Sequence, residues 1–157
     1  MMSPGTYLRK RRAQRGLTLR EVALELAALP EAVRAIDGSD LLRLEARLAE
    51  VEADAGYLQP AQAGLLSLVV PMDASIYEQL FTLHHAGAGA SDTWGLPQPQ
   101  ICRGCACTWH DPCHTPAGPC GWSAADPELC TACESPLPAS FRAPRPTYHS
   151  IFAGAAR

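Results

Sequence analysis

All seven cysteines of this chain lie in one stretch, "ICRGCACTWHDPCHTPAGPCGWSAADPELCTAC", residues 101 to 133. A segment so rich in thiols and so poor in aliphatic side chains cannot close around an ordinary apolar core. It needs metal ions or disulfides to hold it. Cys102 and Cys105 form one C-x2-C pair and Cys130 and Cys133 a second, with 24 residues between the pairs. A C-x2-C pair on a tight turn offers two thiolates to one ion, and two pairs complete a tetrahedron. These four cysteines are therefore the candidate ligands of a structural zinc ion, although the interval is somewhat longer than that of a common zinc ribbon.

Inside the interval lie Cys107, Cys113 and Cys120 together with His110 and His114. Three cysteines and one histidine make a second four-ligand site. Alternatively, Cys107 bridges two ions, or some of the three are buried free thiols, which behave as small hydrophobes. An iron–sulfur cluster is the competing metal reading, but the spacing matches no ferredoxin-type run. A disulfide framework leaves an odd cysteine and requires an oxidising compartment. The start "MMSPGTYLRKRR" has basic residues without the apolar core of a secretory signal, and no apolar run approaches the roughly 20 residues of a membrane span. A cytoplasmic location without membrane association is expected, and there thiols stay reduced.

Zinc catalysis needs an open coordination position with an acid or base beside it. The chain has no H-E-x-x-H and no H-x-E with P-C-x-x-C: Pro112 precedes Cys113, but no cysteine follows three residues on. Gly-rich phosphate loops and Ser-centred elbows are also missing from the sequence. Neither catalysis nor a small-molecule substrate is expected. Trp109 and Trp122 are expected to cover the metal core, with base stacking or a partner contact as the alternative. Arg103 is expected to donate to a thiolate or to meet solvent.

"CRGCACT", "CGW" and "LCTAC" resemble a cysteine-rich module of small bacteriophage and prophage proteins, patterned Cys-Arg-x-Cys-Gly-Cys-Thr, Cys-x-Trp and Leu-Cys-x-Ala-Cys. The chain departs from that pattern at Ala106, where the module has Gly. The resemblance implies a mobile-element origin and supports metal binding.

Residues 5 to 86 read as helices. "TYLRKRRAQRG" is a first helix ending at Gly16. "TLREVALELAAL" is a second, with Thr18 and Glu21 in the capping-box arrangement and Leu19, Val22, Leu26 and Leu29 on one face. A short third helix begins at Pro30 and covers "PEAVRAI". "SDLLRLEARLAEVEADAG" is capped by Ser39 or Asp40 and closed by Gly56. Its seam of Leu41, Leu44, Leu48, Val51 and Ala55 is too short for a coiled coil and reads as core-facing, with homodimerisation as the alternative. "PAQAGLLSLVV" and "DASIYEQLFTLHH" complete the set, the latter with Ile76, Tyr77, Leu80, Phe81 and Leu83 as its apolar face and His84 and His85 in the last turn, where they favour the helix dipole.

Charge is uneven along this half. Residues 1 to 20 carry six basic and no acidic side chains, whereas residues 21 to 60 carry nine acidic and three basic ones. Such a chain can turn one side towards a polyanion, or can simply solvate a helix face. "YLRKRRAQRGLTLREVALELA", Tyr7 to Ala27, resembles the first two helices of the Cro-like repressor (XRE) helix-turn-helix family. That resemblance implies a compact helical domain whose third helix enters the DNA major groove. It implies double-stranded DNA as partner, with Arg9, Arg11, Arg12, Arg15 and Arg20 on phosphates and Arg34 at base edges. The segment "ALPEAVRAIDG" departs from the family by offering Arg34 as its one strong base-edge donor, beside Glu31 and Asp37.

The expected fold class is mainly α. A helix-turn-helix-type bundle (1–87) is followed by a linker (88–100), a metal-stapled irregular domain (101–135) and a proline-rich tail (136–157). The expected function is that of a small DNA-binding regulator of phage or mobile-element type. The alternatives are a protein-binding adaptor or structural phage protein, and an iron–sulfur redox sensor.

Overall fold

Ser3 and Pro4 start the first helix earlier than the apolar pattern indicates. The Ser3 hydroxyl accepts a hydrogen bond from the Thr6 N–H (3.2 Å), and Pro4 occupies a position where its missing N–H costs nothing. Helix α1 (Pro4–Gln14) then runs to Gly16, whose φ of 73° turns the chain out of the helix. The computed structural model describes residues 1–29, 40–86 and 98–134. The third helix expected at Pro30, with Arg34, and the tail at 136–157 lie outside the described residues. The chain divides into two compact units, Met1–Pro99 and Gln100–Arg157.

Helix α2 (Leu19–Ala27) opens with the capping box expected from sequence. The Thr18 hydroxyl accepts from the Glu21 N–H at 3.2 Å, and the Glu21 carboxylate accepts from the Thr18 N–H at 2.7 Å. The Thr18 N–H, and the Thr18 hydroxyl at 2.8 Å, both donate to that carboxylate and hold it below its ordinary pKa. Helix α3 (Leu41–Glu52) is capped by Asp40, which accepts from the Leu42 N–H at 3.0 Å. It stops at Glu52 rather than at Gly56, because Asp54 takes a left-handed φ of 57°. Aspartate tolerates that conformation better than most residues.

Asp54 also ties the two helices together. Its carboxylate accepts from the Gly5 N–H (2.7 Å) and from the Ser3 hydroxyl (2.5 Å), satisfying donors at the start of α1. A side chain at Gly5 would run into the carbonyls of Val51 and Glu52, so only glycine lets α1 approach the end of α3 this closely.

Helix α4 (Pro60–Leu66) begins on Pro60, and α5 (Ala74–Ala86) is capped by Asp73, which accepts from the N–H groups of Ser75 and Ile76. Helix α3 packs on α1 and α2, and α5 packs on α1 and α4. Between them lie Tyr7, Leu8, Val22, Leu26, Leu44, Leu48, Val51, Leu66, Val70, Tyr77, Leu80 and Leu83. Each such burial contributes about 1.5–3 kcal/mol. The α3 seam is thus filled from within the chain by α1 and α2, although Ala55 lies outside it and Glu52 takes its place on the buried face. Ile76 and Phe81 are only partly buried, and Phe81 stacks with Tyr57 and His85 at centroid distances of 5.1 and 4.2 Å. His84 and His85 are exposed in the last turn of α5.

Polar side chains close the gaps in this core. The Tyr7 hydroxyl accepts from the Asp73 N–H (2.9 Å), and the buried Tyr77 hydroxyl accepts from the Leu58 N–H (3.2 Å). The arginines of α1 do more. Arg11 is 2% exposed and donates to the Pro71 carbonyl (2.6 Å) and to Gln14 (2.7 Å). Arg12 grips the buried Glu52 with two bonds of 2.6 and 2.8 Å and donates to the Leu17 carbonyl. Arg15 donates to the Val69 carbonyl and lies 3.6 Å from Glu25. The fork shape of guanidinium suits it to bind several acceptors at once. Donation to Glu52 raises the Arg12 pKa above its ordinary value.

Among the described residues, no helix is long and apolar enough to cross a membrane. Replacing Glu52 by Ala leaves the Arg12 guanidinium without its bidentate partner in a mostly buried place. The expected loss is about 2 kcal/mol of stability, below the 3–5 kcal/mol of a fully buried pair because Arg12 keeps some contact with water. Urea unfolding followed by far-ultraviolet circular dichroism measures it; a loss under about 0.5 kcal/mol would make the pair incidental.

Candidate metal centre

Among the described residues of the second unit, regular structure is limited to an antiparallel pair, β1 (His114–Thr115) and β2 (Gly118–Pro119), and one short helix, α6 (Thr131–Glu134). Sulfur atoms take the place of an aliphatic core. Cys102, Cys105, Cys107 and Cys130 are buried together, with Cys113, Cys120, Cys133, Trp122, Leu129 and Ala132 packed against them.

The turn carrying the first cysteines is built by its own backbone. The Cys102 N–H donates to the Cys107 carbonyl (2.9 Å), and the Ala106 N–H donates to the Cys102 carbonyl (2.8 Å). Ala106 sits at φ 63°, a conformation that favours glycine. Gly104 is constrained from outside: a Cβ there would stand 2.8 Å from the Cys133 sulfur. The turn thereby lets Cys133 approach from α6.

Other contacts fix the turn against the second cysteine pair. The Cys130 N–H donates to the Cys102 sulfur at 3.3 Å, the kind of bond that offsets thiolate charge. Arg103 turns away from the thiols. Its backbone N–H donates to the Glu128 carbonyl (2.7 Å), and its exposed guanidinium pairs with Asp126 (3.0 Å) and Glu128 (3.1 Å). Ser123 accepts from the N–H groups of Ala125 and Asp126, shaping the loop that returns the chain to Cys130.

Cys102, Cys105, Cys130 and Cys133 have their sulfurs all within 4.8 Å of one another, as expected from the two C-x2-C pairs. A second group with the same property is Cys105, Cys107, Cys113 and Cys130. Sulfur–sulfur distances of 3.7 Å for Cys105–Cys130 and 3.3 Å for Cys105–Cys113 compare with about 3.8 Å for the edge of a tetrahedral zinc tetrathiolate. The thiols are close enough to hold a metal ion, and their chemistry fits one.

The second group differs from the one expected. His110 and His114 are exposed and belong to neither group, and Cys105 and Cys130 appear in both. Cys120 stands at the margin, 3.7 Å from the Cys107 sulfur, where its own sulfur accepts from the Cys113 N–H at 3.1 Å. Burial pushes its thiol up to about 11. Contacts with Cys102 push the thiols of Cys105, Cys107 and Cys133 up as well. Cys102 is driven down, chiefly by Cys105; Cys130, raised by Cys102, is brought down to about 7 by Cys105 and Cys107. Thiols this crowded do not all ionise together, and a dication removes that conflict.

The tryptophans divide. Trp122 packs on the sulfur core, whereas Trp109 is 66% exposed, stands edge-on to Trp122 at 6.1 Å and donates to Gln100 (3.1 Å). A cleft of about 210 Å3 opens beside them, lined also by Pro112, Pro119, Cys107 and Cys120.

Of the residues assigned to phosphate contacts, Arg11, Arg12 and Arg15 make the internal bonds described above. Arg9 and Arg20 are exposed, Arg20 lying 3.8 Å from Glu45, and Arg34 is outside the described residues. Comparison with family models, with curated proteins and with solved structures gives no match.

Two substitutions probe the turn. Ala106→Gly relieves the left-handed strain and is expected to stabilise the metal-loaded unit by about 0.5–1 kcal/mol, the strain released less the added entropy of the unfolded chain. Gly104→Ala is expected to weaken metal binding at least tenfold by displacing the Cys133 sulfur. Competition with a chromophoric zinc chelator reads both; unchanged affinity in Gly104→Ala would remove Cys133 from the site.

Proposed function

We propose that this chain is a small non-enzymatic binding protein whose C-terminal unit is folded by structural zinc and which works by assembling with another protein. The carrying observation is the sulfur core, where four thiols from two distant segments converge within 4.8 Å. Four protein thiolates around one ion leave no open coordination position, so the ion organises the chain rather than a substrate. Zinc suits soft thiolates in a tetrahedron and brings no redox chemistry.

The use of arginine supports a protein partner over DNA. Arg11, Arg12 and Arg15 satisfy carbonyls and carboxylates of their own unit, which leaves Arg9 as the exposed arginine of α1. Exposed Trp109 beside its cleft is the type of aromatic anchor that protein interfaces use. A DNA-binding regulator of phage or mobile-element type is the second reading. Exposed Arg9 and Arg20, together with the capped α2 of the helix-turn-helix resemblance, favour it.

Protein purified without added metal is expected to contain zinc and to lack visible absorption; iron with a visible band would replace this reading by an iron–sulfur sensor. Stripping the zinc, or replacing Cys130 by Ser, is expected to abolish the near-ultraviolet signal of Trp109 and Trp122 while the far-ultraviolet helix signal largely persists. Fluorescence anisotropy with a mixed-sequence DNA duplex at about 50 and 200 mM salt separates the two partner classes. No binding tighter than about 10 μM is expected at either salt, and tight binding that collapses between them would establish the DNA reading.

A further inference from the structure

We infer that the C-terminal unit holds two metal ions in one cluster, in which the thiolates of Cys105 and Cys130 are shared by both. The inference rests on the metal-folded unit proposed above and concerns how its sulfurs are divided.

The two groups of mutually close sulfurs are not separate sites. Cys102 and Cys133 complete one tetrahedron and Cys107 and Cys113 the other, and both are built on the same pair, Cys105 and Cys130. The sulfurs of that pair lie 3.7 Å apart, close to the edge that a zinc tetrathiolate presents. An edge is what two tetrahedra can share.

Counting ligands leads to the same arrangement. Two independent tetrathiolate sites require more cysteines than the seven of the chain, and the two histidines that would make up the number are exposed and lie in neither group. Sharing two thiolates reduces the requirement to six. It also leaves two net negative charges in the buried cluster where two separate tetrathiolates carry four, which lowers the cost of burying it. The seventh cysteine, Cys120, then has a different task. Its sulfur accepts from the Cys113 N–H at 3.1 Å and lies 3.7 Å from Cys107, so it braces the outer pair of ligands from behind.

Cadmium-113 loaded into the full chain in place of zinc gives a direct test, because scalar coupling between two cadmium nuclei arises only through a shared thiolate. Two resonances of all-sulfur type, mutually coupled, with two ions per chain by elemental analysis, are expected. Two uncoupled resonances, or a single ion per chain, would overturn the shared cluster while leaving the metal-folded unit standing. No bound ion would overturn both. Variants then assign the ligands. Cys120→Ser is expected to keep two ions, and Cys107→Ser with Cys113→Ser to keep one ion with the near-ultraviolet signal partly retained. Loss of one ion in Cys120→Ser would make Cys120 a ligand and overturn the edge-shared arrangement.

Discussion

Sulfur crowding is the constraint on which the second unit depends. Cys102, Cys105, Cys107 and Cys130 occupy the buried centre that leucines and valines fill in the helical unit, and among the described residues Trp122, Leu129 and Ala132 pack apolar material against them. Thiols packed at 3.3–3.7 Å gain little from dispersion and resist common ionisation. A structural zinc ion supplies on the order of 10–16 kcal/mol at such a site, as much as the net stability of a typical whole domain. The turn at 102–107, the loop shaped by Ser123 and the short α6 all make sense as devices that deliver sulfurs to one point.

The helical unit solves a different problem with a different residue. Its loop from Val69 to Pro71 presents carbonyls to the core side of α1, and carbonyls without partners there would cost about 1–3 kcal/mol each. Arg11 and Arg15 reach them, while Arg12 binds the one carboxylate that α3 buries, Glu52. A basic run that reads as an electrostatic face in the sequence is therefore largely an internal scaffold. Cations satisfied by their own chain are less free to release counterions from a phosphate backbone.

Local rules made much of this legible beforehand. The capping box of Thr18 and Glu21, the Asp40 cap, the Pro60 start and the Asp73 cap depend on residues within one helical turn, and all four are present. The pairing of Cys102 and Cys105 with Cys130 and Cys133 followed from spacing that is itself local within each pair. What depended on the third dimension was hidden. Nothing in the sequence distinguishes Arg11 at 2% exposure from Arg9 on the surface except their positions around α1, and that distinction matters only once α5 and the 69–71 loop are in place. The end of α3 was misplaced because Asp54, not a glycine, takes the left-handed turn. His110 and His114 are metal ligands by type, but type alone says nothing about where a loop points them, and both are exposed.

Cys107 shows how a single backbone angle decides the grouping of sulfurs. On an extended strand, residues two apart face the same way with their Cα atoms about 6.6 Å from each other. Ala106 at φ 63° folds the chain back, and the bond from the Cys102 N–H to the Cys107 carbonyl closes the loop, so that Cys105 and Cys107 enter the same group. A glycine at 106 would have announced this turn in the sequence. With alanine there, the chain accepts a strain of about 1–2 kcal/mol at the residue that brings its third sulfur inward. That cost is small beside what a bound dication would return to the turn.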